Sequence, residues 1–160
     1  MIADPDFEAI SSACTFFQLR KLTRTVSRLY DRHLAAAGLK TTQFSVLVHV
    51  SVKALPMMQL AALLGAERTT LTRNLKPLAD AGWLTVAPGP DPRQRIVTIT
   101  EAGRAKVRHA RHAWRAAQDE MGNLLGAGAL NTLHQDLSAL QSKLEKLEAG
   151  GKDGEENDGA

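Results

Sequence analysis

The sequence predicts a mainly α-helical protein with one small β-hairpin, in which helices from both chain ends flank a helix–turn–helix. Three observations predict it. Apolar residues recur three and four apart through most of the chain, the period of one helix face. Two short runs, "WLTVA" from Trp83 and "RIVTIT" from Arg95, alternate apolar residues with threonine, the period of half-buried strands. Gly38, Pro56 and Gly65 fall between the helical stretches, where chain breaks belong. Only seven of the 160 residues are aromatic, so the core must be built from Leu, Ala and Val, a mix that favours helices.

The first helix is predicted over Phe7–Ala37, with Ile10, Phe17, Leu22, Val26 and Leu29 apolar and Gly38 as its C-cap residue. A second follows Thr41 or Thr42 through "QFSVLVHVSVK". Pro56 breaks the chain before "MMQLAALLG", a short third helix stopped by Gly65. The fourth starts near Glu67, whose carboxylate is placed to cap the free N–H groups of the first turn. Pro77 lies inside it and removes the hydrogen bond to the Arg73 carbonyl, which predicts a bend near Arg73–Pro77. The two strands follow, joined by "PGPDPRQ", whose prolines make a long, stiff hairpin tip. Thr100 is the predicted N-cap of a fifth helix running to about Leu124, and "LLGAGAL" breaks it. The last helix, Leu130–Leu147, carries Leu130, Leu133, Leu137, Leu140, Leu144 and Leu147 at alternating steps of three and four, the seam of a helix–helix interface. That seam packs either within one chain or against a second copy. A long first helix and a leucine-seamed last one in so short a chain favour the dimer.

The order of elements is that of a winged helix–turn–helix flanked by N- and C-terminal dimerisation helices. The predicted organisation is residues 1–40 for the N-terminal helix, dimerisation and a ligand cleft; 41–100 for the winged lobe; 101–148 for the C-terminal dimerisation helices; and 149–160 for a disordered acidic tail. The tail "AGGKDGEENDGA" has Gly and acid and no large apolar side chain to bury.

Charge is unevenly distributed. The net charge is +3, but residues 20–40 carry net +5, residues 68–115 net +7 and residues 116–160 net −6. A basic middle and an acidic end point to a polyanionic partner on one part of the molecule, against the alternative of an ordinary solvated surface. Within the helix–turn–helix, Leu60, Ala61 and Leu64 supply one core face and Leu71, Leu75 and Leu78 the other. That leaves Arg68, Thr69, Thr70, Thr72, Arg73 and Lys76 outside or on the flanks, with no acid from Arg68 to Ala79. Arg suits guanine O6 and N7, and Thr suits phosphates and the thymine methyl group. A helix that only packs or binds protein would usually expose some acid. The hairpin tip adds Arg93, Gln94 and Arg95, able to reach a minor groove or simply to form a solvated turn. Asp91, two residues from Arg93, is placed to accept a charge-assisted hydrogen bond from it.

No enzyme is indicated: Gly-x-Ser-x-Gly, a P-loop and His-Glu-x-x-His are all missing, and no cofactor is expected. His109 and His112 stand three apart without a carboxylate or Cys to complete a metal site. The apolar runs are too short for a membrane span, and the acidic N-terminus does not read as a signal peptide, so a cytoplasmic protein without a membrane partner is expected. The single Cys14 fits a reducing compartment.

"LAALLGAERTTLTRNLKPLADAGWL" and "DPRQRIVTITEAG" together resemble the MarR-type transcription regulators, over roughly residues 10–148. The second stretch matches that family's wing pattern of Asp-x-Arg, strand, then Leu/Ile-Thr-x-x-Gly. The resemblance implies an obligate homodimer, a palindromic double-stranded DNA operator, and release from DNA by a small effector. It sets Thr69, Thr70, Thr72, Arg73 and Lys76 along the recognition helix, with Asp91 and Arg93 at the wing tip. For the effector, a small aromatic carboxylate, it suggests a site near Phe17, Arg20, Phe44, Leu47 and His49. Arg20, Arg24, Arg28 and Arg32 form a stripe that either pairs with acids of the last helices or meets that carboxylate. Cys14 is either a small packed residue or a redox switch, since the family includes hydroperoxide sensors with one reactive cysteine in the first helix. Those sensors pair the thiol with tyrosines, whereas this chain has only Tyr30, with Phe44 in the second helix. The alternatives to a ligand-released repressor are thus a peroxide-sensing repressor switched at Cys14 and a winged-helix module that binds protein.

Overall fold

The computed structural model describes residues 12–91 and 93–155. Helix α1, Thr15–Leu34, tightens into a 3-10 turn at Ala35–Ala37 and ends at Gly38, whose φ of 63° is the left-handed conformation a glycine adopts without a Cβ penalty. The helix is interrupted at Cys14. Cys14 is its N-cap in an extended conformation, with Ser12 and Ala13 helical before it. Ser12, Cys14 and Thr15 are weak helix formers, so the helix is interrupted there. The predicted start at Phe7 lies outside the described residues.

Helix α2, Thr41–Val52, is tied to α1 at its first turn. The Asp31 carboxylate on α1 accepts from the Thr41 backbone N–H at 2.6 Å and from its hydroxyl at 2.7 Å. Next comes a strand that the sequence does not announce. β1, Leu55–Pro56, pairs with the later strand β3, so the sheet has three strands in the order β1-β3-β2. Two residues are too few to show a period, and a proline is tolerated there because β1 is an edge strand.

Helix α3, Met57–Leu63, and helix α4, Arg68–Asp80, are joined through Gly65 at φ 57°. Leu60, Leu71, Leu75 and Leu78 are buried as their spacing predicts. Each such leucine contributes about 1.5–3 kcal/mol by leaving water. One expectation for α4 needs correction. Glu67 is the N-cap, but its side chain makes no capping hydrogen bond. The residues that cap well are the shorter Asp, Asn, Ser and Thr, and a glutamate is one methylene longer. Pro77 lies within α4, which runs unbroken to Asp80, and it is exposed to solvent.

β2, Leu84–Pro88, and β3, Arg95–Ile99, form the hairpin with Leu84 opposite Ile99 and Pro88 opposite Arg95. Leu84, Val97 and Ile99 face inward. The Thr100 hydroxyl then caps helix α5, Glu101–Leu125, accepting from the Gly103 N–H at 3.0 Å while donating to the Gly82 carbonyl at 2.6 Å. Arg104 donates to the Ser51 carbonyl at 2.8 Å, satisfying the end of α2. The core gathers α2, the helix–turn–helix, the sheet and the first part of α5, with Val107, Ala113 and Trp114 packed against it.

Gly126 alone, at φ 80°, separates α5 from helix α6, Ala127–Glu155. The break is one residue rather than the whole of "LLGAGAL". α6 also continues through residues 149–155, which composition assigns to a disordered tail. A helix already several turns long adds residues without a new nucleation cost, which offsets the poor propensity of glycine. Residues 156–160 lie outside the described residues. Two compact units divide within α5, one ending at Ala117 and the other beginning at Gln118. Among the described residues, no helix is long and apolar enough to cross a membrane.

Candidate nucleic-acid interface

Burying Leu71, Leu75 and Leu78 fixes the rotation of α4, and with it what the helix shows to solvent. Arg68, Thr69, Thr70, Thr72, Arg73 and Lys76 all reach solvent. The one acid within α4 is Asp80, and it pairs with Lys76 at 2.7 Å, a solvent-exposed i,i+4 contact worth only a few tenths of a kcal/mol. The guanidinium groups of Arg68 and Arg73 have no acidic partner among the described residues. Thr72 turns its hydroxyl to the Arg68 carbonyl at 2.8 Å, which leaves its methyl group and oxygen lone pairs outward.

The hairpin places Arg93, Gln94 and Arg95 beside the start of α4. They share a cavity of about 160 Å³ with Arg68, Met57 and Met58. The tip is shaped by Asp91, though not through the Arg93 guanidinium as the sequence suggests. The Asp91 carboxylate accepts from the Arg93 backbone N–H at 2.9 Å, and its carbonyl accepts from the Gln94 N–H. Two residues of separation favour this local turn, and it leaves the Arg93 side chain unengaged. Arg95 donates to the Val86 carbonyl at 3.2 Å across the hairpin.

The residues proposed from sequence for a small effector separate in space. Phe44 and His49 line a cavity of about 410 Å³ between α2 and α5, with Val48, Val107, Arg111 and Trp114. Leu47 is fully buried in the core instead, one helical step from that wall. Phe17 and Arg20 lie on α1, along a different and open groove. Sequence reasoning missed the α5 wall, since Val107, Arg108, Arg111 and Trp114 carry only helical periodicity. Arg108 pairs with Glu101 at 3.1 Å, whereas Arg111 has no acidic partner among the described residues. His49 is oriented through Nδ1, 2.8 Å from the Ser45 carbonyl. Cys14 is half-buried at the head of α1, and no group of three or more potential metal ligands occurs among the described residues.

Residues 37–95 match the sequence profile of the MarR family. The M. tuberculosis transcriptional regulator MosR, solved in complex with DNA, is 35% identical to this chain and superposes with a TM-score of 0.74. That match covers 84% of this chain and 98% of MosR. The chain belongs to the MarR family. It is therefore a winged-helix transcription regulator of the DNA-binding type, as the paired helix–turn–helix and wing motifs imply. A mutant MarR from E. coli, solved with operator DNA, shares the MarR fold at 23% identity with a TM-score of 0.72, over 82% of this chain and 96% of its own. The uncharacterized HTH-type regulator YwoH of Bacillus subtilis (strain 168) is 27% identical over 90 residues, 56% of this chain. That match spans 66% of YwoH, just under two thirds of its length. In MarR-family terms, α4 is the recognition helix and β2–β3 the wing.

Proposed function

We propose that the protein is a homodimeric repressor that binds a palindromic DNA operator and is released from it by a small aromatic carboxylate. The observation that carries the DNA reading is the exposed face of α4, where guanidinium and hydroxyl groups stand without acid beside an arginine-bearing wing. In a dimer, two such helices enter successive major grooves roughly 34 Å apart. Support for the dimer comes from large apolar side chains left exposed: Phe16, Phe17, Leu19 and Leu22 on α1, and Leu137, Leu140, Leu144 and Leu147 on α6. Exposed apolar surface repeated along two helices is the mark of an interface.

The DNA reading is tested with duplex from upstream of the protein's own gene and a random duplex of equal length. Binding is expected to weaken steeply with salt, as phosphate neutralisation requires. Arg73→Ala is expected to lose about 1–3 kcal/mol on the specific duplex and much less on the random one. Binding that ignores salt, or that fails on every duplex, would overturn the DNA reading and favour a protein partner.

The effector reading rests on the α2–α5 cavity. An apolar wall of Phe44, Val48, Val107 and Trp114, with the Arg111 guanidinium free of acidic partners among the described residues, suits a flat apolar body carrying one carboxylate. The effector acts by population shift: it binds more tightly to the lobe spacing that misfits the operator. A panel of aromatic carboxylates is expected to include one that weakens operator binding. Arg111→Ala is expected to lower that compound's affinity about ten-fold or more while leaving binding to DNA intact, a loss in the range of a charged hydrogen bond. Unchanged effector affinity in the variant would place the site elsewhere. The redox alternative is read in the same assay, because a Cys14→Ser variant that still releases DNA under peroxide excludes it.

A further inference from the structure

The methionines of the chain stand in different surroundings. Met57 is half-buried, and its sulfur accepts from the Thr72 hydroxyl at 3.9 Å. Met121 is half-buried within α5. Met58, at the second position of α3, is 62% exposed, so its sulfur is open to solutes. Met1 lies outside the described residues.

The neighbours of Met58 give that exposure a consequence. It lines the cavity of about 160 Å³ between α3, α4 and the wing, together with Arg68, Arg93 and Arg95, and no acidic residue lines it. Arg95 is engaged with the Val86 carbonyl. The guanidinium groups of Arg68 and Arg93 have no hydrogen-bond or ionic partner among the described residues. A thioether is a weak acceptor and offers these donors little. Oxidation changes that, because it turns a flexible apolar side chain into a polar one with an oxygen that accepts hydrogen bonds.

We infer that Met58 is an oxidation-sensitive switch on DNA binding, whose sulfoxide, formed by a hypohalous acid, engages the Arg68 guanidinium and withdraws it from DNA. The inference rests on the DNA reading above, which sets Arg68 among the residues that meet DNA. In the oxidation step the sulfur lone pair attacks the oxygen of hypochlorous acid. The S–O bond forms as the O–Cl bond breaks, sulfur gives up two electrons, and chloride and a proton leave. The guanidinium groups lining the cavity favour the step by stabilising the negative charge that develops on the leaving chloride. Methionine sulfoxide reductases return the sulfoxide to the thioether, so the switch is reversible.

The test uses the full-length Cys14→Ser chain, in which no thiol can respond, and measures binding to the specific duplex before and after limited hypochlorite. Peptide masses locate each added oxygen. Oxidation is expected at Met58 ahead of Met57 and Met121. Affinity is expected to fall about ten-fold, the scale of one hydrogen bond to a charged group, with an unchanged melting temperature. Methionine sulfoxide reductase is expected to restore binding. Met58→Leu, a volume-conserving change, is expected to bind like its parent and to keep its affinity through the treatment. Met58→Gln, whose amide oxygen stands in for the sulfoxide, is expected to bind about ten-fold more weakly with no oxidant present. In Arg68→Ala, oxidation of Met58 is expected to add nothing to the loss that the substitution causes. A chain oxidised at Met58 that binds as before overturns the inference. So does a Met58→Leu chain that loses affinity under the same treatment, or oxidation that reaches Met121 first. A chain that binds no duplex before any oxidant is added overturns the DNA reading and the switch together.

Discussion

Gly103→Ala is expected to destabilise the protein by about 3 kcal/mol, the upper end of what overpacking costs, and to lower its melting temperature by on the order of 10 °C. A Cβ at Gly103 would stand 1.9 Å from the Trp83 carbonyl oxygen and 2.8 Å from Ile99 Cγ1. The first obstacle is backbone, so no rotamer change relieves it. The same carbonyl accepts from the Thr100 N–H at 3.1 Å, and the Thr100 hydroxyl bridges Gly82 and Gly103. Relief would therefore pull α5 away from the turn that ends the recognition helix. Gly122→Ala, in the same α5, is the control: nothing lies within 4 Å of its Cβ position, and alanine is the better helix former. Thermal and urea unfolding of both variants decide the matter. A Gly103→Ala protein as stable as the Gly122→Ala control would show that α5 does not lie against Trp83 in this way.

The second large effect is expected at Leu71→Ala, a loss of about 2–5 kcal/mol through reduced burial and the cavity left behind. Leu71 is fully buried on the core side of α4, two residues from exposed Arg73. The pair makes a contrast on one helix. Leu71→Ala is expected to lower the urea midpoint while the folded fraction keeps its base preference. Arg73→Ala is expected to leave stability within about 0.5 kcal/mol, as exposed substitutions do, and to erode that preference. The reverse pattern would mean that the helix is rotated from the orientation described.

Much of the fold was legible because it depends on local chemistry. Gly38 and Gly65 stop their helices by taking positive φ, Thr100 caps α5, and the leucines of α4 point inward at their expected spacing. The elements that escaped were short or depended on distant residues. β1 has two residues and exists only because β3 passes beside it. Gln43 caps α2 locally through the Lys40 N–H, but the bonds to Thr41 come from Asp31, ten residues back on another helix, and no local pattern announces those. Glu67 and Asp91 sit where the sequence suggested, yet Glu67 makes no capping bond and Asp91 bonds a backbone N–H instead of a guanidinium, because capping and turn geometry are set by tenths of an ångström. Residue type and spacing do not resolve these.

The candidate sites divide in the same way. The exposed set on α4 was readable because a helix that buries one leucine stripe must expose the rest, so composition alone marks the acid-free side. The sequence by itself thus determined the family, most of the order of elements and the acid-free face of α4. The tertiary structure decided which residues act together. It joined Phe44 and His49 with Arg111 and Trp114 across α2 and α5, and set Phe17 and Arg20 apart on α1. It also brought Arg68 of α4, Arg95 of the wing and Met57 of α3 together on the walls of two cavities. The physical reason is range. Helix phase and turn chemistry depend on neighbours within four or five residues, whereas cavities form between elements tens of residues apart, through packing that no local pattern encodes.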